Sequence, residues 1–507
     1  MRKAALVIMI ITIISKVFGF MREVALSYYY GASELTDVYL IAITISATLF
    51  SFLFTAITNT FIPMYGRIKN DDGEKAANYF TSNLINMSIL LSGVLILIVF
   101  LFTTPLVKIF AVGFEGETLE LAIVFTRLNV IGVLASGALA ILMAFLQVKD
   151  RFVIPALVGF PLNFAVIAAI VISHKTNSSV LIWGTMLSSF LQLLFVLPSV
   201  YKLGYRHRAV ISIKDEHIKT MLVLAMPVII GTSVNQINTL VDRTLASSVV
   251  VGGISALSYA AKLNGFVQGM FVYSIVVVIY PKISQMASEG RDDELKIVVA
   301  KSINAIMLLI LPATVGTMVF ARPIVQMMFG QGAFDERAVV LTTGALFFYS
   351  IGMVAFGVQE VLSRTFYALQ DTKTPMYNGV LTVVINIILN IVLSQVMGIS
   401  GLALATSISA VICSVLLIRS LRKKTGQLGI KKILMSSIKI LIASVIMGAG
   451  SYFSYHRLIS GVGHTLGLFI AIAIGVLLYG AIILAMKVPE IEEIIIQIRG
   501  KTRKKHV

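Results

Sequence analysis

Seven basic side chains lie inside segments otherwise apolar enough to span a bilayer: Lys16, Arg22, Arg127, Arg243, Lys262, Arg364 and Lys439. A charge at that depth costs roughly 3 kcal/mol on insertion scales, so it faces a wet cavity or a partner, not lipid. Glu23 adjoins Arg22, Asp242 adjoins Arg243, and Glu360 precedes Arg364 by four residues, the favourable spacing for a local helical salt bridge. The balance stays positive, which suits an anionic substrate held between helices. Lys16 and Glu23 are seven residues apart and share a helix face, with Arg22 about 100° from Glu23 and Gly19 between them allowing close approach. Lining of a cavity is the reading taken for Lys16 and Glu23 over interhelical ion pairs, and for Lys262 over snorkelling to the membrane surface. A second constellation is rich in oxygen and has one carboxylate: Asn235, Asn238 and Asp242 form one stripe, Asn386 and Asn390 share a face, and Thr406 follows on the next segment. Such a set suits a small hard cation and not zinc or copper. An interhelical hydrogen-bond network that only glues the helices is the equal alternative.

The elements that must position these residues are membrane helices. The chain is 58% hydrophobic and 13% charged, with a mean hydropathy of +0.94, the composition of an all-α polytopic membrane protein. The single cysteine, Cys413, excludes a disulfide framework and a Cys-based metal site. The first apolar run begins after Arg2 and Lys3 like a signal peptide, but Lys16 and Arg22 interrupt it, so it reads as a retained helix. Apolar stretches of ~20 residues predict fourteen transmembrane helices, near 4–28, 35–64, 79–103, 119–147, 153–172, 179–201, 217–247, 255–281, 297–320, 337–369, 375–397, 400–420, 433–455 and 465–487. An even number puts both termini on one side. Apart from the seven buried cations and Lys108, Lys175, Arg322, Arg337 and Arg457, the Lys and Arg residues gather at the termini and after even-numbered helices, which makes that side cytoplasmic. The formal charge of +17 is scattered over short loops and the tail, so nucleic acid is not the expected partner. The basic cytoplasmic tail, 488–507, suits anionic lipid headgroups.

The chain repeats at a spacing of roughly 220 residues. Leu146-Gln147, Lys149 and Pro155 recur as Leu369-Gln370, Lys373 and Pro375. Pro63 closes helix 2 ahead of Asp71-Asp72-Gly73-Glu74, and Pro281 closes helix 8 ahead of Asp292-Asp293-Glu294. Two parallel six-helix repeats follow, an N-terminal lobe over 1–216 and a C-terminal lobe over 217–432, with two extra C-terminal helices over 433–487. Such a layout moves a substrate by alternating access at the lobe interface. Nothing points to an enzyme: there is no HExxH, no Walker A loop and no Gly-x-Ser-x-Gly elbow, and the histidines lie mostly in loops.

Four blocks carry a family resemblance: SKVFGFMRE (Ser15 to Glu23), VNQINTLVDRTLAS (Val234 to Ser247), GGISALSYAAKL (Gly252 to Leu263) and FYALQDTKTP (Phe366 to Pro375). They resemble the MurJ family, lipid II flippases of the MOP exporter superfamily, over helices 1 to 12. The resemblance implies inner-to-outer-leaflet transport of an undecaprenyl-pyrophosphate-linked peptidoglycan precursor in a bacterial cytoplasmic membrane. It also implies a central headgroup cavity and a lipid-tail groove by helices 13 and 14. The family's basic residues on helix 1 fall on Lys16 and Arg22, its helix 8 cation on Lys262, and the acidic residue opening helix 2 on Asp37. Its sodium site, on helices 7, 11 and 12, falls on Asp242, Asn386, Asn390 and Thr406. Departures are Leu49-Phe50 where members carry an arginine, lysine for arginine at Lys16 and Lys262, and Asn390 where a second carboxylate is usual. No cofactor is expected beyond Na+ as coupling ion, and the expected partners are the lipid-linked glycan, membrane lipids and cell-wall synthesis proteins around a monomer. A flippase for another polyprenyl-linked glycan, or a multidrug or cation antiporter of the same superfamily, is the alternative; an antiporter for cationic drugs calls for an acidic cleft.

Overall fold

The computed structural model describes residues 2–488, without the side chains of 2–6, 52, 53, 55, 56, 59, 227, 228, 230–235 and 430. The basic tail over 489–507 and the Asn235 side chain thus lie outside the described residues. Everything regular that is described is helix. α1 (Arg2–Tyr30), α2 (Glu34–Asp72) and α3 (Glu74–Leu101) lead to a short α4 (Thr103–Phe110), then α5 (Gly116–Val130), α6 (Val133–Val148), α7 (Val153–Leu157), α8 (Gly159–Lys175) and α9 (Ser179–Lys202). α10 (Glu216–Val249), α11 (Gly253–Ser288) and α12 (Asp292–Val319) lead to a short α13 (Ala321–Met328), then α14 (Glu336–Ile351), α15 (Met353–Ala368), α16 (Lys373–Met397) and α17 (Ile399–Thr425). α18 (Ile430–Val462) and α19 (His464–Ala485) complete the order.

Among the described residues, eleven helical spans are long and apolar enough to cross a membrane, two of them made of the consecutive pairs α5–α6 and α7–α8, and a twelfth is the pair α14 and α15, which bends by 45°. α1 and α10 both run through side chains that are not described, and this count does not cover them. Each carries its charges inside the apolar stretch: Lys16, Arg22 and Glu23 on α1, Asp242 and Arg243 on α10.

Two proline boundaries need correction. Pro63 and Pro281 do not close their helices, because α2 runs on to Asp72 and α11 to Ser288. Burial outweighs the hydrogen bond each proline removes. Past Pro63, Met64, Tyr65 and Ile68 are buried in a core with Phe61, Phe80 and Phe145, and the Tyr65 hydroxyl donates to Asn78 Oδ1 at 3.1 Å. Past Pro281, Ile283 is buried against Leu295 and Val299.

By packing, the chain forms two compact units, one of Met1–Ser255 with Gln331–Asp335, the other of Ala256–Gly330 with Glu336 onward. In the first, α2 packs on α3, α5, α6 and α10, and α1 lies along α8. Gly132 separates α5 from α6; a Cβ there would stand 3.2 Å from Ser189 Oγ and 3.4 Å from the Met186 carbonyl oxygen, so α9 comes close at the break. In the second unit, α12 packs on α15 and α18, α17 on α14, α15 and α16, and α18 on α19. The α14–α15 bend has a definite cause: Gly352 N–H donates to Ser407 Oγ of α17 at 3.1 Å, and that hydroxyl donates to the Phe348 carbonyl at 2.6 Å. A side chain inserted into the i→i−4 ladder bends a helix.

Candidate substrate-contact site

On α1, the face that carries Arg22 is set by packing on α8. Phe18 sits between Phe160 and Phe164, with ring centroids 5.5 and 4.9 Å away, and a Cβ on Gly159 would lie 2.2 Å from Ser15 Oγ, so the two helices touch nearly backbone to side chain. Gly19 faces Asn163, whose amide a Cβ would meet at 3.8 Å. Asn163 is buried, donates to the Ser15 carbonyl at 3.3 Å and accepts from Arg22 Nη1 at 3.3 Å. Arg22 Nη2 donates to Glu23 Oε1 at 2.7 Å. The Glu23 side chain is 8% exposed and that of Arg22 25%, so the carboxylate is the buried anchor and the guanidinium the reachable end. These bonds engage two of the five N–H donors of Arg22. Lys16, on the same helix, is exposed.

Asp37 takes a different place. It is 2% exposed, and its two carboxyl oxygens accept from the backbone N–H groups of Gly252, at 2.8 Å, and Ser255, at 2.7 Å. It therefore caps the N-terminus of α11, where the first amides have no partner within the helix. Gly252, at φ +80°, fits against Ala32, whose carbonyl oxygen would be 2.2 Å from any Cβ. Two turns along α11 from Ser255, Lys262 lies on an exposed strip with Ala261, Gly265 and Phe266, while Tyr259, Ala260 and Leu263 are buried and Tyr259 packs on Phe329 at 4.8 Å.

The candidate cation ligands fall in both units, and each group is described by itself. In the first, Asp242 Oδ2 accepts from Asn238 Nδ2 at 3.4 Å, and Arg243 donates to the Leu40 carbonyl at 3.1 Å. In the second, buried Asn390 Nδ2 donates to buried Asn386 Oδ1 at 2.8 Å, and the Thr406 hydroxyl, half-buried, donates to the Leu402 carbonyl at 3.1 Å. The Asn386 amide nitrogen is buried without a hydrogen-bond partner. If the two amides turn over together, an oxygen takes that position, so this pair fits a hard cation as well as a hydrogen-bonded tie.

Of the remaining intramembrane cations, Arg364 forms the expected bridge to Glu360 at 2.9 Å and lies over the Tyr280 ring. Arg127 donates to Thr103 Oγ1 and to the Phe100 carbonyl. Asn163 escaped the sequence reading, although an amide in the apolar run of α8 was a signal of the same kind as Asn386.

The sequence profile described as "Lipid II flippase MurJ" matches residues 26–479. The chain belongs to the MurJ family. Among the family's curated members, the probable lipid II flippase MurJ of Vibrio cholerae serotype O1 is 30% identical over 83% of this chain and 82% of its own length. That of Thermotoga maritima is 28% identical over 96% of both chains. A solved lipid II flippase MurJ in an inward closed conformation superposes with a TM-score of 0.81 at 26% identity, covering 94% of this chain and 98% of the other. An inward-facing multidrug resistance MATE transporter of the MOP superfamily shares the fold, with a TM-score of 0.69 at 14% identity, 84% of this chain and 98% of that one.

Proposed function

We propose that this chain carries lipid II, the undecaprenyl-pyrophosphate-linked peptidoglycan precursor, from the inner to the outer leaflet by ion-coupled alternating access. The observation that carries this reading is Arg22: a guanidinium on a membrane helix, fixed by a buried glutamate and a buried asparagine, with donors left for a phosphate. Lys16 and Lys262 supply further charge to the pyrophosphate. Glu23 is a positioning residue that acts through Arg22, and Asp37 positions α11 and hence Lys262.

The fourteen-span count is reached when α1, α10 and the bent pair are added to the eleven apolar spans. Matching shapes support the six-helix repeat: α3 and α12 both have 28 residues, α4 and α13 both have 8, and α6 and α15 both have 16. Both of the latter are followed, two residues past their last helical residue, by a residue at positive φ that is not glycine, Asp150 at 58° and Gln370 at 56°. By this reading the repeats are 1–216 and 217–432, α18 and α19 form the groove for the lipid tail, and both termini are cytoplasmic. Asp242, Asn386, Asn390 and Thr406 hold the coupling cation, sodium.

The test is complementation of a strain depleted of its own lipid II flippase, with accumulated lipid-linked precursor measured in parallel. Arg22→Ala abolishes rescue at normal protein level, Lys262→Arg is tolerated because the planar fork keeps the charge and adds bidentate contact, and Lys262→Glu fails. Arg364→Ala, which opens a local bridge, costs protein level more than transport. Full rescue by both Arg22→Ala and Lys262→Glu would remove the mechanism.

A further inference from the structure

Residues 203–215, between α9 and α10, have no part in the transport reading, yet they are firmly fixed, because polar side chains of α3 face them. Asn86 Nδ2 donates to the Arg208 and Val210 carbonyls at 2.8 and 2.9 Å. Asn83 accepts from the Ser212 N–H at 2.8 Å and donates to the Ser212 carbonyl at 3.0 Å and to Asp215 Oδ2 at 3.3 Å. Ser82 Oγ accepts from the Arg208 N–H at 3.3 Å and lies 2.9 Å from the Tyr205 hydroxyl. Val210 and Ser212 are thus turned toward α3 and half-buried, while the residues that alternate with them, Ile211 and Ile213, point outward at 56% and 66% exposure. An isoleucine left in water forgoes about 1.5–3 kcal/mol relative to burial. Fraying does not account for two of them here: a loose segment could fold them in, and this one is bonded through Arg208, Val210, Ser212 and Asp215.

The surroundings of the two isoleucines indicate what covers them. One turn beyond Asn86, α3 turns Ile89, Leu90 and Leu91 outward, so the segment lies where a membrane span begins its apolar surface. At the end of α9, exposed Tyr201 carries the Arg206 guanidinium 5.7 Å over its ring, an aromatic and basic pair of the kind found at a membrane–water boundary. Lys202, Arg208, Lys214 and Lys219 are exposed beside it. Of the nearby carboxylates, Asp215 is turned inward to Asn83 and the His217 N–H, Asp72 faces His217 at 3.6 Å, and Glu216 is exposed. We infer that the segment over 206–214 is a surface anchor for anionic lipid: Ile211 and Ile213 enter the acyl boundary of the adjoining leaflet while Arg208 and Lys214 meet its phosphates. Neither half suffices alone, because stable binding at a membrane surface takes an apolar and a basic signal together. The anchor is independent of the Arg22 contact and of what the protein transports.

Trp183 is the one tryptophan of the chain, so Trp183→Phe combined with Ile213→Trp places a single reporter in the segment, and Trp183→Phe combined with Asp71→Trp places one at the exposed end of α2 for comparison. The purified full chain, checked for folding by gel filtration, is reconstituted in nanodiscs of phosphatidylcholine alone or of phosphatidylcholine and phosphatidylglycerol in equal parts. Quenching of the reporter by brominated acyl chains is read against quenching by aqueous acrylamide. In discs with phosphatidylglycerol, bromine quenches the reporter at position 213 and acrylamide does not reach it; in phosphatidylcholine alone the order reverses, and the reporter at position 71 stays open to acrylamide in both. Arg208→Gln combined with Lys214→Gln lowers the ratio of inserted to free reporter in phosphatidylglycerol about 30-fold, two cations at about 1 kcal/mol each. A reporter at 213 that acrylamide reaches equally in both discs overturns the proposal and gives the isoleucines to a protein partner or to none. Equal bromine quenching in the two discs, or a glutamine pair that changes nothing, overturns it by showing an apolar contact without recognition of anionic lipid.

Discussion

Removing the Asp37 side chain separates a substrate contact from a positioning role. Asp37→Ala strips the acceptors from two backbone N–H groups, those of Gly252 and Ser255, held at 2.8 and 2.7 Å in a buried place. Water has little room to replace them on the side where Ala32 abuts Gly252. An orphaned buried donor costs about 1–3 kcal/mol, so the pair costs about 2–6 kcal/mol. At the entropy per residue typical of globular chains, a chain this long loses about 1 °C in Tm per kcal/mol, a drop on the order of 2–6 °C. Asp37→Asn keeps one acceptor but turns an amide N–H toward a backbone N–H, so it falls between. The assay is heating in detergent followed by gel filtration of the folded fraction, with Lys282→Gln, an exposed residue on the helix that Asp37 caps, as a comparison that leaves Tm unchanged. Transport lost by Asp37→Ala at an unchanged Tm would refute the capping argument and return Asp37 to the substrate.

Four further outcomes follow from the same geometry. Arg22→Ala and Lys262→Glu abolish rescue in the depletion strain while Lys262→Arg does not, as set out above. Sodium raises the Tm of the wild type and not of Asp242→Ala; a wild type indifferent to sodium would make the asparagine pair structural glue. Lys424 donating to Asp371 at 2.8 Å, with the Thr374 N–H and hydroxyl, holds the Asp371 carboxyl down to about 2, outside the membrane spans. These bonds stabilise the fold above the unfolded value of ~3.9 and are lost as pH falls toward 2, so the Tm gap between wild type and Asp371→Asn, open at pH 6, narrows below pH 4 and closes near 2. In a Cys413→Ala background, cysteines at Ser288 and Gly426 react with an impermeant reagent only after the membrane is opened, and one at Glu117 reacts in intact cells; external labelling at Ser288 would reverse the orientation.

Which features could be read in advance depended on how far apart in sequence the interacting groups lie. Arg364 and Glu360 are one helical turn apart, so their bridge followed from spacing alone. Helix positions followed from length and hydropathy, since a bilayer sets both. The bend at Gly352 did not, because its cause is a hydroxyl 55 residues away on α17. Nor did the persistence of α2 past Pro63, which depends on Phe80 and Phe145 closing over Tyr65. The short α4 and α13 lay in stretches read as loops.

The same rule separates the parts of the candidate site. The types of Lys16, Arg22 and Lys262 gave their charge, and charge at membrane depth already restricts what they can face. Their roles depend on neighbours that sequence does not bring together: Asn163 is 141 residues from Arg22, and Ser255 is 218 from Asp37. A carboxylate in a family-matching position can therefore bind a substrate or hold a helix, and only its acceptor geometry distinguishes the two. Glu23 and Asp37 both resolve toward positioning on that criterion, one through a guanidinium and the other through two amides. On the transport reading proposed above, the cations are then the groups that meet the pyrophosphate, which is the division of labour an anionic substrate demands: buried acceptors to hold a donor still, and the Arg22 guanidinium at the reachable end.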